Sequence, residues 1–220
     1  MAVAHKAYGR NEKEQKTMII PFVELKIRHG ISPEGVIQVG ASFGQEAVQF
    51  YGNGVKRCIF IEAMKDAYDK MIPFISQYHN AKGYHACIWD VDDQKKEFHI
   101  SNNGGRSSSL FEFDYHKIAH PEIEFVESET MTTVRLDTLL KDITGYDMLV
   151  LDIQGCEYEA IQGMGDLLDG IKYIYTEINQ KPLYKYGRLL SDMDNLLHDF
   201  TRVETKILQY GWGDALYLRE

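Results

Sequence analysis

Val36-Ile37-Gln38-Val39-Gly40-Ala41-Ser42-Phe43-Gly44 is the stretch whose reading decides the fold. A short strand over residues 36–39 runs into Gly40, and a helix is expected to open near Gly44 or Gln45 and continue to about Gly52. Glycines at such a turn let backbone approach a ligand closely, and a helix start offers unpaired N–H groups. The spacing is G-x-x-x-G, not the G-x-G-x-x-G of pyrophosphate-binding turns. A purely structural turn of the same composition is the competing reading.

Outward from this unit, strand and helix signals alternate, the pattern of an α/β domain with a parallel sheet. A second strand, residues 58–61, closes on Glu62. Tyr68, Met71, Ile72 and Ile75 then form one helical stripe, with Pro73 predicting a kink or an early end. A third strand is expected over 84–88. Residues 146–151 form a near-continuous apolar strand ending at Asp152, and the helix after Gly155 sets Ala160, Ile161, Met164, Leu167 and Leu168 on one face. The next strand, 171–176, ends at Glu177, and Ser191 with Asp194 resembles a capping box opening a helix through His198. Alternation over 201–207, a turn at Gly211-Trp212-Gly213-Asp214 and a strand over 215–218 close the chain. Strands joined by so short a turn must be antiparallel. A Rossmann-like, mostly parallel α/β sheet with a C-terminal antiparallel hairpin is the class I methyltransferase layout, and the hairpin separates it from the dinucleotide-binding dehydrogenases.

Residues 89–145 break the rhythm and read as an elaboration over the carboxyl edge of the sheet. They hold a strand-like stretch at 97–101, the turn-rich Asn102-Asn103-Gly104-Gly105, and a strand at 132–136 before a short helix capped by Asp137. Connections this long inside a domain are usually functional. The remaining division is an N-terminal arm over 1–16 and one domain over 17–220, a size that buries most of its apolar surface. A formal net charge of −9, with no run of Lys or Arg, argues against a nucleic-acid partner. The three cysteines, Cys58, Cys87 and Cys156, each lie in or beside an apolar segment and read as buried free thiols. With no signal-peptide pattern and no apolar run of about 20 residues, the protein is expected to be cytoplasmic with no membrane span.

Three positions carry the chemistry. Glu62 ends the second strand about 20 residues beyond the glycine turn, where a carboxylate can accept hydrogen bonds from both hydroxyls of a ribose. Asp152 ends the central strand, and ligands of open α/β sheets bind outside such carboxyl ends. The glycine loop, having no phosphate to cradle, suits the methionine and ribose of S-adenosylmethionine. Glu157 and Glu177 add carboxylates suited to a sulfonium and an ammonium, or else are solvated charges at element ends.

Here a resemblance becomes specific. Val39-Gly40-Ala41-Ser42-Phe43-Gly44-Gln45, Ile61-Glu62-Ala63, Ser107-Ser108-Ser109-Leu110, Leu136-Asp137-Thr138-Leu139, Leu151-Asp152-Ile153-Gln154-Gly155-Cys156-Glu157, Thr176-Glu177-Ile178 and Tyr184 together resemble the FkbM-type methyltransferase family from about residue 35 onward. The resemblance implies S-adenosylmethionine-dependent O-methylation, commonly of a sugar or another small-molecule hydroxyl. It implies that Gly40, Ala41, Ser42, Gly44, Glu62 and Ala63 hold the cofactor, that Ala86 and Cys87 line the adenine, and that Asp152 stands beside the transferred methyl. Ser109, Glu157, Glu177 and Tyr184 are the expected substrate contacts. Gln38 stands where the family usually has Asp, and Ser42 where it usually has Asn. The first exchange keeps hydrogen-bonding ability but removes a negative charge.

Asp152 is the expected catalytic base, orienting the acceptor hydroxyl and taking its proton. His99, His116 and His120 in the elaboration are alternatives, while His85 and His198 belong in or beside core elements. Tyr184, Tyr186 and Trp212 are candidates to stack on a sugar face. Asp152, Glu177 and Asn179 would suit Mg²⁺, but no tight acidic pair follows the strand at 171–176, and a metal is not favoured. A non-catalytic cofactor-binding module and a nicotinamide-dependent oxidoreductase are the readings from other classes. A fused or associated glycosyltransferase is an open partner, as is the oligomeric state.

Overall fold

The computed structural model of the protein describes residues 18–219; the arm expected over 1–16 lies outside the described residues. In chain order the elements are α1 (Phe22–His29), β1 (Gly35–Val39), α2 (Ala47–Gly52), β2 (Arg57–Glu62), α3 (Lys65–Ile75), β3 (Ala81–His85), β4 (Cys87–Ile88), β5 (Lys95–Ser101), α4 (His116–Ala119), β6 (Phe125–Val134), α5 (Leu136–Leu140), β7 (Met148–Leu151), α6 (Glu157–Gln162), β8 (Tyr173–Asn179), α7 (Leu190–Leu196), β9 (Phe200–Ile207) and β10 (Trp212–Arg219).

The main sheet has seven strands in the order β3-β2-β1-β7-β8-β10-β9. Every pairing from β3 to β8 is parallel, and β10 runs antiparallel between β8 and β9. Alternate residues of the inner strands go to opposite layers, as a pleated sheet covered on both faces requires. Ile37, Val39, Ile59, Ile61, Leu149 and Leu151 pack with Leu136, Ala160, Ile161 and Met193. Val36, Cys58, Phe60, Met148 and Val150 pack with Phe22, Leu25, Phe50 and Met71 from α1, α2 and α3. One residue interrupts the second layer. Gln38 shares that face of β1 with Val36 and is buried, only 4% exposed.

Several sequence expectations shift. The strand expected over 84–88 is two strands. After His85 the chain leaves the main sheet, and β4 pairs with the end of β6 in a small sheet of order β4-β6-β5. Pro73 stays inside α3, which ends within a turn of it at Ile75. Asp137 does not cap α5; its carboxylate takes the Arg135 guanidinium, at 2.9 Å from Nε and 2.6 Å from Nη2. The helix expected to open at Ser191 begins at Leu190, where Asp192 Oδ2 accepts the Leu189 N–H at 2.9 Å. Asp194 instead holds Arg202 and the Tyr217 hydroxyl, both at 2.8 Å. The closing turn falls at Gln209–Gly211, so Trp212, Gly213 and Asp214 already belong to β10. His85 and His198 are exposed, whereas Cys58, Cys87 and Cys156 are buried and free. Among the described residues, no helix is long and apolar enough to cross a membrane.

Phe60 is fully buried at the centre of the second layer. Phe60→Ala is expected to cost about 3–5 kcal/mol of stability. In urea unfolding this appears as a lowered midpoint with an unchanged slope.

Candidate active site

The parallel register builds the site. Val39 pairs with Ile61 on one side and Leu151 on the other, and Leu151 pairs with Thr176. The next residue on each strand therefore falls in one row at the carboxyl edge: Glu62, Gly40, Asp152 and Glu177. The ladder continues into this row, since Gly40 donates to the Ile61 carbonyl at 2.9 Å and Asp152 to that of Val39 at 3.1 Å. All four residues line one cavity of about 1060 Å³, capped by the elaboration.

Gly40 is fixed by space as well as by conformation. Its φ is +79°, and a Cβ there would lie 2.0 Å from the Asp152 carbonyl oxygen. Glu62, 8% exposed, turns its carboxylate back across the turn. Oε2 accepts the Ser42 N–H at 2.7 Å and Oε1 the Met64 N–H at 2.8 Å. Burial pushes the Glu62 carboxyl up to about 7, opposed by these backbone donors and raised further by Asp152.

Asp152 is exposed to the cavity, and Gln154 orients it. The Gln154 amide nitrogen donates to Asp152 Oδ1 at 2.5 Å and to Glu177 Oε2 at 3.1 Å, while its oxygen accepts the Tyr184 hydroxyl at 2.8 Å. Gln154 reaches this position with φ +57°, followed by Gly155 at φ +100°. Glu157, 4% exposed, secures the turn from beneath, accepting the Ile153 N–H at 2.8 Å and the Gly155 N–H at 3.0 Å. Burial raises the Glu157 carboxyl above the usual range.

The expected residues thus divide. Gly40, Ser42, Glu62, Ala63, Ala86, Cys87, Asp152 and Glu177 line the cavity. Ala41 is fully buried in the layer below, and Gly44 packs on α3, where a Cβ would meet Ile75 at 2.6 Å. Neither belongs to the cavity wall. Ser109, Glu157 and Tyr184, expected as substrate contacts, are at most 4% exposed and spend their polar atoms on the 153–155 turn. They brace the wall from behind. Glu46 and Gln38, not singled out beforehand as site residues, do line the cavity, as do Gln154, His116, His120 and Trp212. His116 lies flat on Phe113 with ring centroids 4.0 Å apart, and burial lowers its pKa to about 4. Among the described residues, no group of three or more His, Cys, Asp or Glu is arranged to hold a metal ion.

A seven-stranded sheet with one reversed strand, and a row of acidic residues facing a cavity at its carboxyl edge, define a class I, Rossmann-like methyltransferase architecture. Residues 38–204 match the Methyltransferase FkbM domain, and the chain belongs to that family. Among solved structures it is similar to Methyltransferase FkbM from Methylobacillus flagellatus KT, with 14% identity, a TM-score of 0.57, and coverage of 90% of this chain and 48% of that one. This chain therefore spans about half the length of the Methylobacillus protein. It is also similar to ribosomal protein L11 methylase from Lactobacillus delbrueckii subsp. bulgaricus, with 10% identity, a TM-score of 0.53, and coverage of 90% and 76%. Magnesium protoporphyrin IX methyltransferase from Synechocystis PCC 6803, solved with bound SAM, gives 10% identity, a TM-score of 0.50, and the same coverage of 90% and 76%. At these identities the likeness is one of fold. No match was found among curated proteins.

A carboxyl raised by burial makes the folded state less stable as pH rises from its unfolded pKa, 4.5, through about 7. The neutral, nearly isosteric Glu62→Gln escapes this penalty. Relative to wild type, the variant is expected to gain on the order of 2–3 kcal/mol between pH 5 and pH 8. Urea unfolding at the two pH values measures the difference, and a gap independent of pH overturns the assignment.

Proposed function

We propose that the protein is an S-adenosylmethionine-dependent O-methyltransferase acting on a hydroxyl of a sugar, a glycan or a related small molecule. The observation that carries the reading is the row Glu62, Gly40 and Asp152 facing one cavity. The wall fits the cofactor. Each Glu62 oxygen accepts one backbone N–H, which leaves acceptor capacity for the two hydroxyls of a ribose. Gly40 lets the turn after β1 pass directly against the Asp152 carbonyl, and Ala63, Ala86 and Cys87 offer the small, largely apolar surface that an adenine ring needs. Binding of SAM by a protein of the same fold supports the choice.

When bound, S-adenosylmethionine supplies an electrophilic methyl carbon on a positively charged sulfur. The chain's own residues must bring an acceptor oxygen in line at about 3–3.5 Å and dispose of its proton. Asp152 is the base at the right edge of the sheet. Gln154 holds its Oδ1, which leaves Oδ2 as the oxygen to accept from an incoming hydroxyl. Glu177, held by the same amide, adds negative charge beside the reacting centre. Farther out, Asn103, Ser107, Ser108, His116, His120 and Trp212 combine hydrogen-bonding groups with ring faces. That mixture suits a polyhydroxylated acceptor.

Asp152→Asn keeps the hydrogen-bonding shape and loses the proton acceptor. It is expected to bind cofactor normally and to lower kcat by about 10²–10⁴-fold in a methyl-transfer assay over candidate monosaccharides. Full turnover by this variant refutes the role. Excess EDTA is expected to leave the wild-type rate unchanged, since the Gln154 amide bridges Asp152 and Glu177; loss of activity restored by Mg²⁺ reverses that expectation.

A further inference from the structure

Glu46 differs from the other carboxylates on the cavity wall. Glu62 has a backbone donor on each oxygen, and Asp152 is held by Gln154 in an exposed position. Glu46 lies just before α2, is only 4% exposed, and lines the cavity. Its Oε1 accepts the Gln45 side-chain amide at 3.2 Å, while Oε2 is buried with no hydrogen-bond partner. Nor is Glu46 in an ion pair with any described residue. Gln38, equally buried on β1, has its side chain close enough to Glu46 to act on its carboxyl and leaves its own Oε1 without a partner. With Gln45 Oε1, three buried acceptor oxygens without donors thus belong to residues on the wall of one cavity. Native interiors rarely leave such atoms unmatched, and a buried carboxylate is far more costly than an amide. Burial pushes the Glu46 carboxyl up to about 7, the direction expected of an acid without a cation.

The position selects the cation. Glu62, Ala63, Ala86 and Cys87 occupy the β2–β4 side of the cavity, where the adenosyl half belongs under the reading given above. Glu46 and Gln38 occupy the β1–α2 side, toward which the other half of the same molecule must extend. That half ends in an α-ammonium, a cation with three donors. We propose that Glu46, with Gln38 beside it, is the subsite for the α-ammonium of S-adenosylmethionine and of its product S-adenosylhomocysteine. The assignment rests on the cofactor reading and adds to it a specific anchor at the amino-acid end.

The test is a binding cycle by titration calorimetry, using wild type and Glu46→Gln against S-adenosylhomocysteine and its α-deaminated analogue. Removing either partner's charge is expected to weaken binding by about 10–100-fold, the range of a hydrogen bond between charged groups. Removing both is expected to cost little more than removing one, because the interaction is already lost. Equal affinity of Glu46→Gln and wild type for S-adenosylhomocysteine overturns the proposal, as do independent, additive losses. Should the variant not fold, wild type alone decides, since equal affinity for the two ligands also overturns it. Wild type that binds neither adenosyl compound instead removes the cofactor reading on which the subsite rests.

Discussion

The register of four parallel strands is the constraint on which the rest of the molecule depends. Because β2, β1, β7 and β8 are in register, Glu62, Gly40 and Asp152, at or just past the ends of their strands, fall in a common row with Glu177 inside β8. A shift of one residue in any strand exchanges the two faces, burying a carboxylate among Ile and Leu and exposing its neighbours. The two packed layers therefore hold the register, and the register positions Glu62, Gly40, Asp152 and Glu177. Stability and site geometry are one problem here.

The row is then fixed by a turn that few sequences tolerate. Gln154 adopts a left-handed conformation that costs a non-glycine residue about 1 kcal/mol or more. Glu157 stabilises it by accepting two backbone N–H groups, and the Tyr184 hydroxyl locks the Gln154 side chain. Gly155 admits the Tyr184 ring, which lies 3.0 Å from where a Cβ would stand. One amide can consequently bridge two carboxylates that would otherwise repel.

Much of this was legible in the sequence, for a definite reason. In a doubly covered sheet a strand is a run of apolar residues, and its carboxyl end is marked by the first polar one. Glu62 and Asp152 were read in that way. The same rule misplaced the end of β8, because β10 continues pairing past Glu177 to Asn179. It also could not tell a cavity wall from the layer behind it. The sequence reading has Ser109, Glu157 and Tyr184 facing substrate, yet all three direct polar atoms to the 153–155 turn. Side-chain direction in an irregular turn has no period, so only Gly155 hinted at it. Gln38 was noticed as a missing charge, but its proximity to Glu46 depends on how α2 docks on the sheet.

That docking explains an otherwise unfavourable collection of acids. Glu46, Glu62 and Glu157 are all nearly buried, burial raises each carboxyl, and Asp152 adds repulsion to all three. Replacing such groups by apolar ones of similar size is commonly neutral or stabilising, so a fold selected only for stability has no use for them. Glu157 has a local role in securing a turn, and Glu62 partly offsets its burial through two backbone donors. Glu46 is compensated only at Oε1, by the Gln45 amide, and among the described residues its Oε2 has no donor. Its cost is recovered only when a cation occupies the cavity. The ligand-free protein is therefore less stable than its packing allows, and the difference is available as binding energy for a positively charged ligand.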